Sequence, residues 1–217
     1  MSGKLKVLLA DDHTIIRDGL KQILADTDDL AVAGEAANGH ELMQLVRDGD
    51  WDVLVLDISM PGRSGLDLIR LVKNEKPDLP ILILSMHQED QYAVRTLHAG
   101  ASGYLTKESD SDLVITAIRR VAAGRTYVSE RVAELMVRGL QPATDALPHL
   151  LLSDREYQVF NMLVLGMGLT EIGSELSLSV KTISTHKVHI LQKMNLANSA
   201  ELVRYAITHH LIDPSDF

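Results

Sequence analysis

The chain has 217 residues, 46% of them apolar and 24% charged, which suits one or two globular domains and excludes a disordered polymer. It has no cysteine, no apolar run near the roughly 20 residues that span a bilayer, and no apolar core after Met1 of the secretory type. These absences exclude disulfides and thiolate metal centres and predict a cytoplasmic protein with no membrane partner, while a net charge of −9 requires any nucleic-acid contact to be local.

Five short apolar runs punctuate the first half: Val7 to Ala10, Leu30 to Ala33, Val53 to Leu56, Ile81 to Leu84 and the weaker Ala101 to Leu105. Their length and β-branched content predict buried strands. Segments of helical spacing separate them, with Ile16, Leu20, Ile23 and Leu24 in the first and Val114, Ala117, Ile118 and Val121 in the last. Five strand-helix alternations predict an α/β domain over 1–123, a five-stranded doubly wound parallel sheet with helices on both faces. A linker follows over 124–149, with a helix near 129–140 and a break at Gln141 to Pro148, where Pro142 and Pro148 cannot continue it. From 150 to 217 the pattern is all-α, with four helices at about 153–166, 169–177, 180–195 and 199–210. Ser153 with Glu156, and Asn198 with Glu201, stand at capping spacing.

Ligands of an open parallel sheet bind beyond the carboxyl ends of its strands. The residues there are Asp11 and Asp12 after the first run, Asp57 after the third, Ser85 after the fourth, and Thr106 and Lys107 after the fifth. Each alone could merely cap the following helix. Together they make three carboxylates, a hydroxyl and an ammonium on one edge. Carboxylates so close need a cation, and oxygen ligands with open positions suit Mg²⁺, here with no histidine or cysteine expected nearby. With the cation and Lys107 neutralising equatorial oxygens, Asp57 on the central strand can attack a phosphoryl group and form an acyl phosphate.

These residues resemble the receiver domain of two-component response regulators over 4–123. The resemblance is carried by Leu9-Ala10-Asp11-Asp12-His13, Leu56-Asp57-Ile58-Ser59-Met60-Pro61-Gly62, Ser85 and Gly103-Tyr104-Leu105-Thr106-Lys107. It implies that Asp57 accepts phosphate from a histidine kinase and that Asp11, Asp12, Asp57 and the backbone carbonyl of Ser59 hold Mg²⁺. It further implies that Ser85 and Lys107 contact the phosphoryl group, that Tyr104 reorients with Ser85, and that Ser59 and His87 tune the phosphate lifetime.

In the second half, the 169–177 and 180–195 helices are joined by a short turn, with Ile172, Leu176, Ile183, Ile190 and Met194 placed to form a small core. Lys181, Ser184, Thr185, Val188 and Gln192 fall on the opposite face, which is polar and unacidic and suits a major groove. Ser179 to Asn195 holds Lys181, Lys187 and Lys193 and no acid. The segment resembles the LuxR-type (NarL/FixJ class) helix-turn-helix over 150–212. The motif runs Leu152-Ser153-Asp154-Arg155-Glu156, Glu171-Ile172, Ser179-Val180-Lys181-Thr182-Ile183-Ser184-Thr185-His186, Ile190 and Lys193-Met194. The implied contacts to double-stranded DNA are Lys181, Thr182, Ser184, Thr185, Lys187, Val188 and Gln192. Leu169, where a polar residue is usual, and Gly173, where alanine is usual, predict a looser first helix. His186 is expected to be packed or bonded to phosphate.

The predicted function is a DNA-binding response regulator whose phosphorylation on Asp57 controls homodimerisation and transcription, with half-sites about 34 Å apart. Catalysis is expected to extend no further than its own phosphotransfer and dephosphorylation. An aspartyl phosphatase of the haloacid-dehalogenase type would place a second Asp two residues after the nucleophile, where this chain has Ser59. A regulator that ignores phosphate would show an incomplete acidic site.

Overall fold

A computed structural model of the chain describes residues 3–60, 65–86, 89–139, 147–176, 178–209 and 211–212. Packing divides the chain into two units, residues 1–136 and 137–217.

The first unit alternates β1 (Leu5–Ala10), α1 (Thr14–Ala25), β2 (Leu30–Ala36), α2 (Gly39–Asp48), β3 (Val53–Leu56), α3 (Gly65–Glu75), β4 (Ile81–Ser85), α4 (Glu89–Ala99), β5 (Gly103–Thr106) and α5 (Ser111–Ala122). All strand pairs are parallel, in the order β2-β1-β3-β4-β5. The three interior strands, β1, β3 and β4, are buried along their apolar lengths because helices cover both faces. One core layer joins Val7 and Leu9, Val53 and Val55, Leu82 and Leu84 to Leu20 and Leu24 of α1 and Val114, Ile118 and Val121 of α5. Asn38 caps α2 by accepting from the His40 and Glu41 amides. Gly124, at φ 73°, closes α5 in the left-handed region that only glycine enters freely.

Hydrogen bonding to the sheet continues past residue 123, where the sequence pattern ends this domain. Tyr127 forms a parallel bridge with Gly103, donating to the Ser102 carbonyl at 3.0 Å and accepting from the Tyr104 amide at 3.1 Å. A Cβ on Gly103 would lie 2.8 Å from the Tyr127 carbonyl oxygen, so glycine permits this edge contact. Helix α6 (Glu130–Gly139) carries the boundary between the units. Most of the expected Gln141 to Pro148 break lies outside the described residues.

The second unit consists of a short 3-10 turn (Pro148–Leu151) and helices α7 (Asp154–Val164), α8 (Leu169–Glu175), α9 (Val180–Met194) and α10 (Ser199–Thr208). Helix α9 packs on α7 and α8, and α10 packs on α7. Ile172, Leu176, Ile183, Ile190 and Met194 are all buried, as are Tyr157 and Phe160, whose rings stack on each other with centroids 5.8 Å apart. The Ser153–Glu156 capping box is fully formed. At α10, Asn198 accepts from the Glu201 amide while Glu201 reaches back to the Ala197 amide at 2.7 Å.

The expected looseness at Gly173 is not what the packing shows. The Leu178 amide donates to the Gly173 carbonyl at 2.8 Å, closing the end of α8, and a Cβ on Gly173 would stand 2.8 Å from the Leu178 carbonyl oxygen. Glycine lets the turn fold tightly onto the helix, which offsets its weak helix propensity. Leu169 is half-buried at the start of α8.

Candidate functional site: an acidic sheet edge and an exposed recognition helix

The carboxyl ends of β1, β3, β4 and β5 converge. Asp11 and Asp57 are buried, and Lys107 reaches between them, its Nζ 2.7 Å from Asp11 Oδ2 and 2.7 Å from Asp57 Oδ2. Burial would depress the Lys107 ammonium, but hydrogen bonds and Coulombic attraction to Asp11 and Asp57 outweigh it, so its pKa lies above the ordinary lysine value. The Lys107 amide donates to the Ser85 carbonyl at 2.8 Å, so the β4–β5 ladder itself ties the cation to the hydroxyl-bearing residue. Ser85 and Tyr104 are both fully buried.

Asp57 Oδ1 accepts from the Ser59 amide at 2.8 Å, and the Asp57 amide donates to the Ala10 carbonyl at 2.8 Å. Behind this loop, a Cβ on Gly65 would lie 2.5 Å from the Ile58 Cα and carbonyl oxygen, so α3 starts against the backbone that follows Asp57. Gly65→Ala is therefore expected to lower the stability of this unit by about 2 kcal/mol in urea unfolding, the cost of overpacking against backbone. An unchanged transition would show that the loop yields freely.

Asp11 and Asp12 do not cap the next helix. His13 is the N-cap of α1, extended and without a side-chain capping bond. Its imidazole is the residue that the sequence reading missed, since that reading expected no histidine near the acids. His13 Nδ1 lies 3.0 Å from Asp11 Oδ1, 2.9 Å from Asp12 Oδ1 and 3.9 Å from Asp57 Oδ2. The histidine following the acidic pair was the available signal. For all its closeness to His13, the buried Asp12 Oδ1 makes no hydrogen bond, an unmet acceptor of the kind a cation would satisfy. One ligand atom from each of Asp11, Asp12, His13 and Asp57 falls within 4.8 Å of the others, so the group could hold a metal ion. Ser59 is exposed beside it, while His87 lies outside the described residues.

In the second unit, Ser179 caps α9 by accepting from the Thr182 amide at 3.1 Å. Of the expected DNA contacts, Lys181, Ser184, Thr185, Val188 and Gln192 are exposed along one face, whereas Thr182 and Lys187 are half-buried. Thr182 shares its hydroxyl with Ser179 at 2.8 Å, and Thr185 donates to the Lys181 carbonyl at 3.0 Å, leaving its oxygen as an acceptor. Lys193, counted in the positive stripe, is committed elsewhere: its Nζ lies 2.6 Å from Glu156 Oε2. Burial would raise the Glu156 carboxyl, but bonds from Lys193 and Ser153 prevail and hold it below the usual glutamate value. The pair ties α9 to the start of α7. His186 is half-buried, and burial together with Arg155 pushes its imidazole pKa down.

Among the described residues no helix is long and apolar enough to cross a membrane. The family model of the response regulator receiver domain matches residues 7–119, and that of bacterial regulatory proteins of the luxR family matches residues 150–206. The response regulator GacA of Pseudomonas syringae pv. syringae is 36% identical over 212 residues, covering 97% of this chain and 99% of that protein. The oxygen regulatory protein NreC of Staphylococcus carnosus is 38% identical over 216 residues, covering 96% and 100%. Among solved structures, RcsB of Salmonella enterica serovar Typhimurium, bound to promoter rprA in the presence of phosphomimetic BeF3⁻, is 27% identical with a TM-score of 0.67. That match covers 93% of this chain and 98% of RcsB. With the receiver fold, the acidic sheet edge and the helix-turn-helix all in one chain, the protein belongs to the two-component response regulators that join a receiver domain to a LuxR-type DNA-binding domain.

Proposed function

We propose that Asp57 is the phosphoacceptor and that its phosphorylation by a histidine kinase controls dimerisation and DNA binding by α9. The observation that carries this reading is the pairing of buried Asp57 with Lys107 at the mouth of a parallel sheet. An Asp57 carboxylate oxygen attacks the phosphorus of a phosphohistidine. The P–N bond breaks as the P–O bond forms, and the electron pair leaves on the imidazole nitrogen, which takes up a proton. Lys107, already 2.7 Å from Asp57 Oδ2, is placed to follow the developing charge onto a phosphoryl oxygen.

Mg²⁺ would be held by Asp11, Asp12, Asp57 and the Ser59 carbonyl, and when bound it supplies neutralisation of the phosphoryl charge. The unmet Asp12 Oδ1 and the three clustered carboxylates fit such a hard cation. The Ser85 hydroxyl then turns to a phosphoryl oxygen and Tyr104 reorients with it, which biases the unit towards its active state. The protein functions as a cytoplasmic transcription regulator with no other catalytic activity. Its domains are the receiver over 1–123, the linker over 124–149 and the DNA-binding domain over 150–217.

The exposed set Lys181, Ser184, Thr185, Val188 and Gln192 enters the major groove, with Thr182 and Lys187 at its margin. Selection of bound sequences from a random DNA pool, with and without acetyl phosphate and Mg²⁺, tests the whole reading. Tighter binding by a dimer after treatment is expected, and equal binding by the two forms would refute phosphate control. Lys181→Ala is expected to weaken binding to every selected sequence and to reduce the slope of log affinity against log salt by about 1. An unaltered slope would remove Lys181 from the phosphate contacts.

A further inference from the structure

The His13 imidazole takes no part in the reading above, yet it stands inside the acidic cluster. Its position is determined by the backbone. The His13 amide donates to Asp11 Oδ1 at 2.8 Å, and its carbonyl accepts from the Ile16 and Arg17 amides at 3.1 and 3.2 Å. The Arg17 guanidinium holds the Asp11 carbonyl at 2.6 Å and lies 3.4 Å from Glu35. The loop that carries Asp11, Asp12 and His13 is thereby braced from both sides.

His13 Nδ1 shares a hydrogen bond with Asp11 Oδ1 at 3.0 Å, and the same spacing of donor atoms fits a coordination shell. An octahedral ion with bonds of about 2.1 Å separates neighbouring ligands by about 3.0 Å and opposite ones by about 4.2 Å. From His13 Nδ1 the three carboxylate oxygens lie at 3.0, 2.9 and 3.9 Å, the first two at the neighbouring-ligand separation. The His13 side chain is 55% exposed, so an ion and its remaining waters have access. Imidazole nitrogen is a poor ligand for Mg²⁺ and a good one for nickel and zinc.

We infer that His13 is a fourth protein ligand for borderline transition-metal ions, so that one site takes two classes of cation. Mg²⁺ binds through carboxylate oxygens, and Ni²⁺ or Zn²⁺ binds through the carboxylates and His13 Nδ1. The inference rests on the acidic cluster binding a divalent cation, and it makes occupancy of the receiver site responsive to transition-metal supply.

Isothermal titration calorimetry of the tag-free, unphosphorylated full chain at one neutral pH, with MgCl₂ and then NiCl₂, tests it. Wild type is compared with His13→Asn and Asp12→Asn; the Asp12 variant identifies which nickel heat belongs to this site among the chain's 9 histidines. The expected result is a loss of nickel affinity of at least about tenfold in His13→Asn, the least that altering a metal's surroundings commonly costs, with Mg²⁺ affinity unchanged. Asp12→Asn should weaken both. His13→Gln is the second variant, used with circular dichroism as the check on folding. Nickel affinity that is unchanged in both His13 variants, or that falls in step with Mg²⁺, overturns the inference. Absence of Mg²⁺ binding by wild type overturns the cation reading on which it rests.

Discussion

Asp57→Asn is expected to abolish phosphorylation by acetyl phosphate and Mg²⁺, with no hydroxylamine-labile phosphoryl adduct in the intact mass. A carboxamide presents no anionic oxygen to attack phosphorus, so the loss is of the nucleophile itself and not of a fraction of its reactivity. The fold should survive. The introduced carboxamide would keep an acceptor for the Ser59 amide, which lies 2.8 Å from Asp57 Oδ1, and Lys107 would keep Asp11 at 2.7 Å. The substitution also removes one of three crowded carboxylates. DNA affinity of the variant should stay at the unphosphorylated level whether or not the donor is present. An adduct on the variant would show that another residue accepts the phosphate.

Lys107→Ala is expected to destabilise the receiver unit by about 3 kcal/mol in the presence of EDTA, the low end of the cost of removing one partner from a buried ion pair. The side chains of Lys107, Asp11 and Asp57 are 2%, 5% and 0% exposed, so losing the ammonium leaves two largely desolvated carboxylates without their counter-charge. Two buried carboxylates would then face one another without the ammonium between them. Mg²⁺ should restore part of the loss by binding the folded form in proportion to its occupancy, which urea unfolding with and without the ion measures. Equal stability of the variant and wild type in EDTA would mean that Lys107 contributes nothing before phosphorylation. The pH dependence has a definite sign. The folded-state pKa of Lys107 is raised above 10.5, so its contribution is complete below that value and fades only as pH climbs through the raised one.

Much of the fold was legible because it depends on near neighbours in the chain. Runs such as Val53–Leu56 are uniformly apolar because they lie between two helical layers, and that burial leaves its mark residue by residue. The caps at Ser153 and Asn198 need only a side chain and an amide three positions on. Strand limits shifted by a few residues where the hydrogen-bond ladder outruns the apolar pattern, as β2 does in continuing through Glu35 to Ala36. The edge bridge at Tyr127 was invisible because a lone tyrosine after a helix carries no strand signal.

The sequence by itself determined the alternation of strands and helices, the separation into α/β and all-α portions, and the candidates Asp11, Asp12, Asp57, Ser85 and Lys107, since each follows an apolar run and parallel strands end on one edge. Only the tertiary structure decided which atoms pair across that edge. The Lys107–Asp57 contact spans 50 positions and the Lys193–Glu156 contact 37, and neither separation leaves a local pattern. For the same reason Lys193 reads as part of a basic stripe until α7 is packed against α9, and Gly173 reads as a weak point until Leu178 is brought to 2.8 Å. His13 lies beside Asp12 in the chain, but its imidazole enters the acidic cluster because the backbone at the start of α1 turns it there. Composition and spacing record which residue types a site contains, whereas strand order, helix packing and backbone direction decide which of their atoms meet.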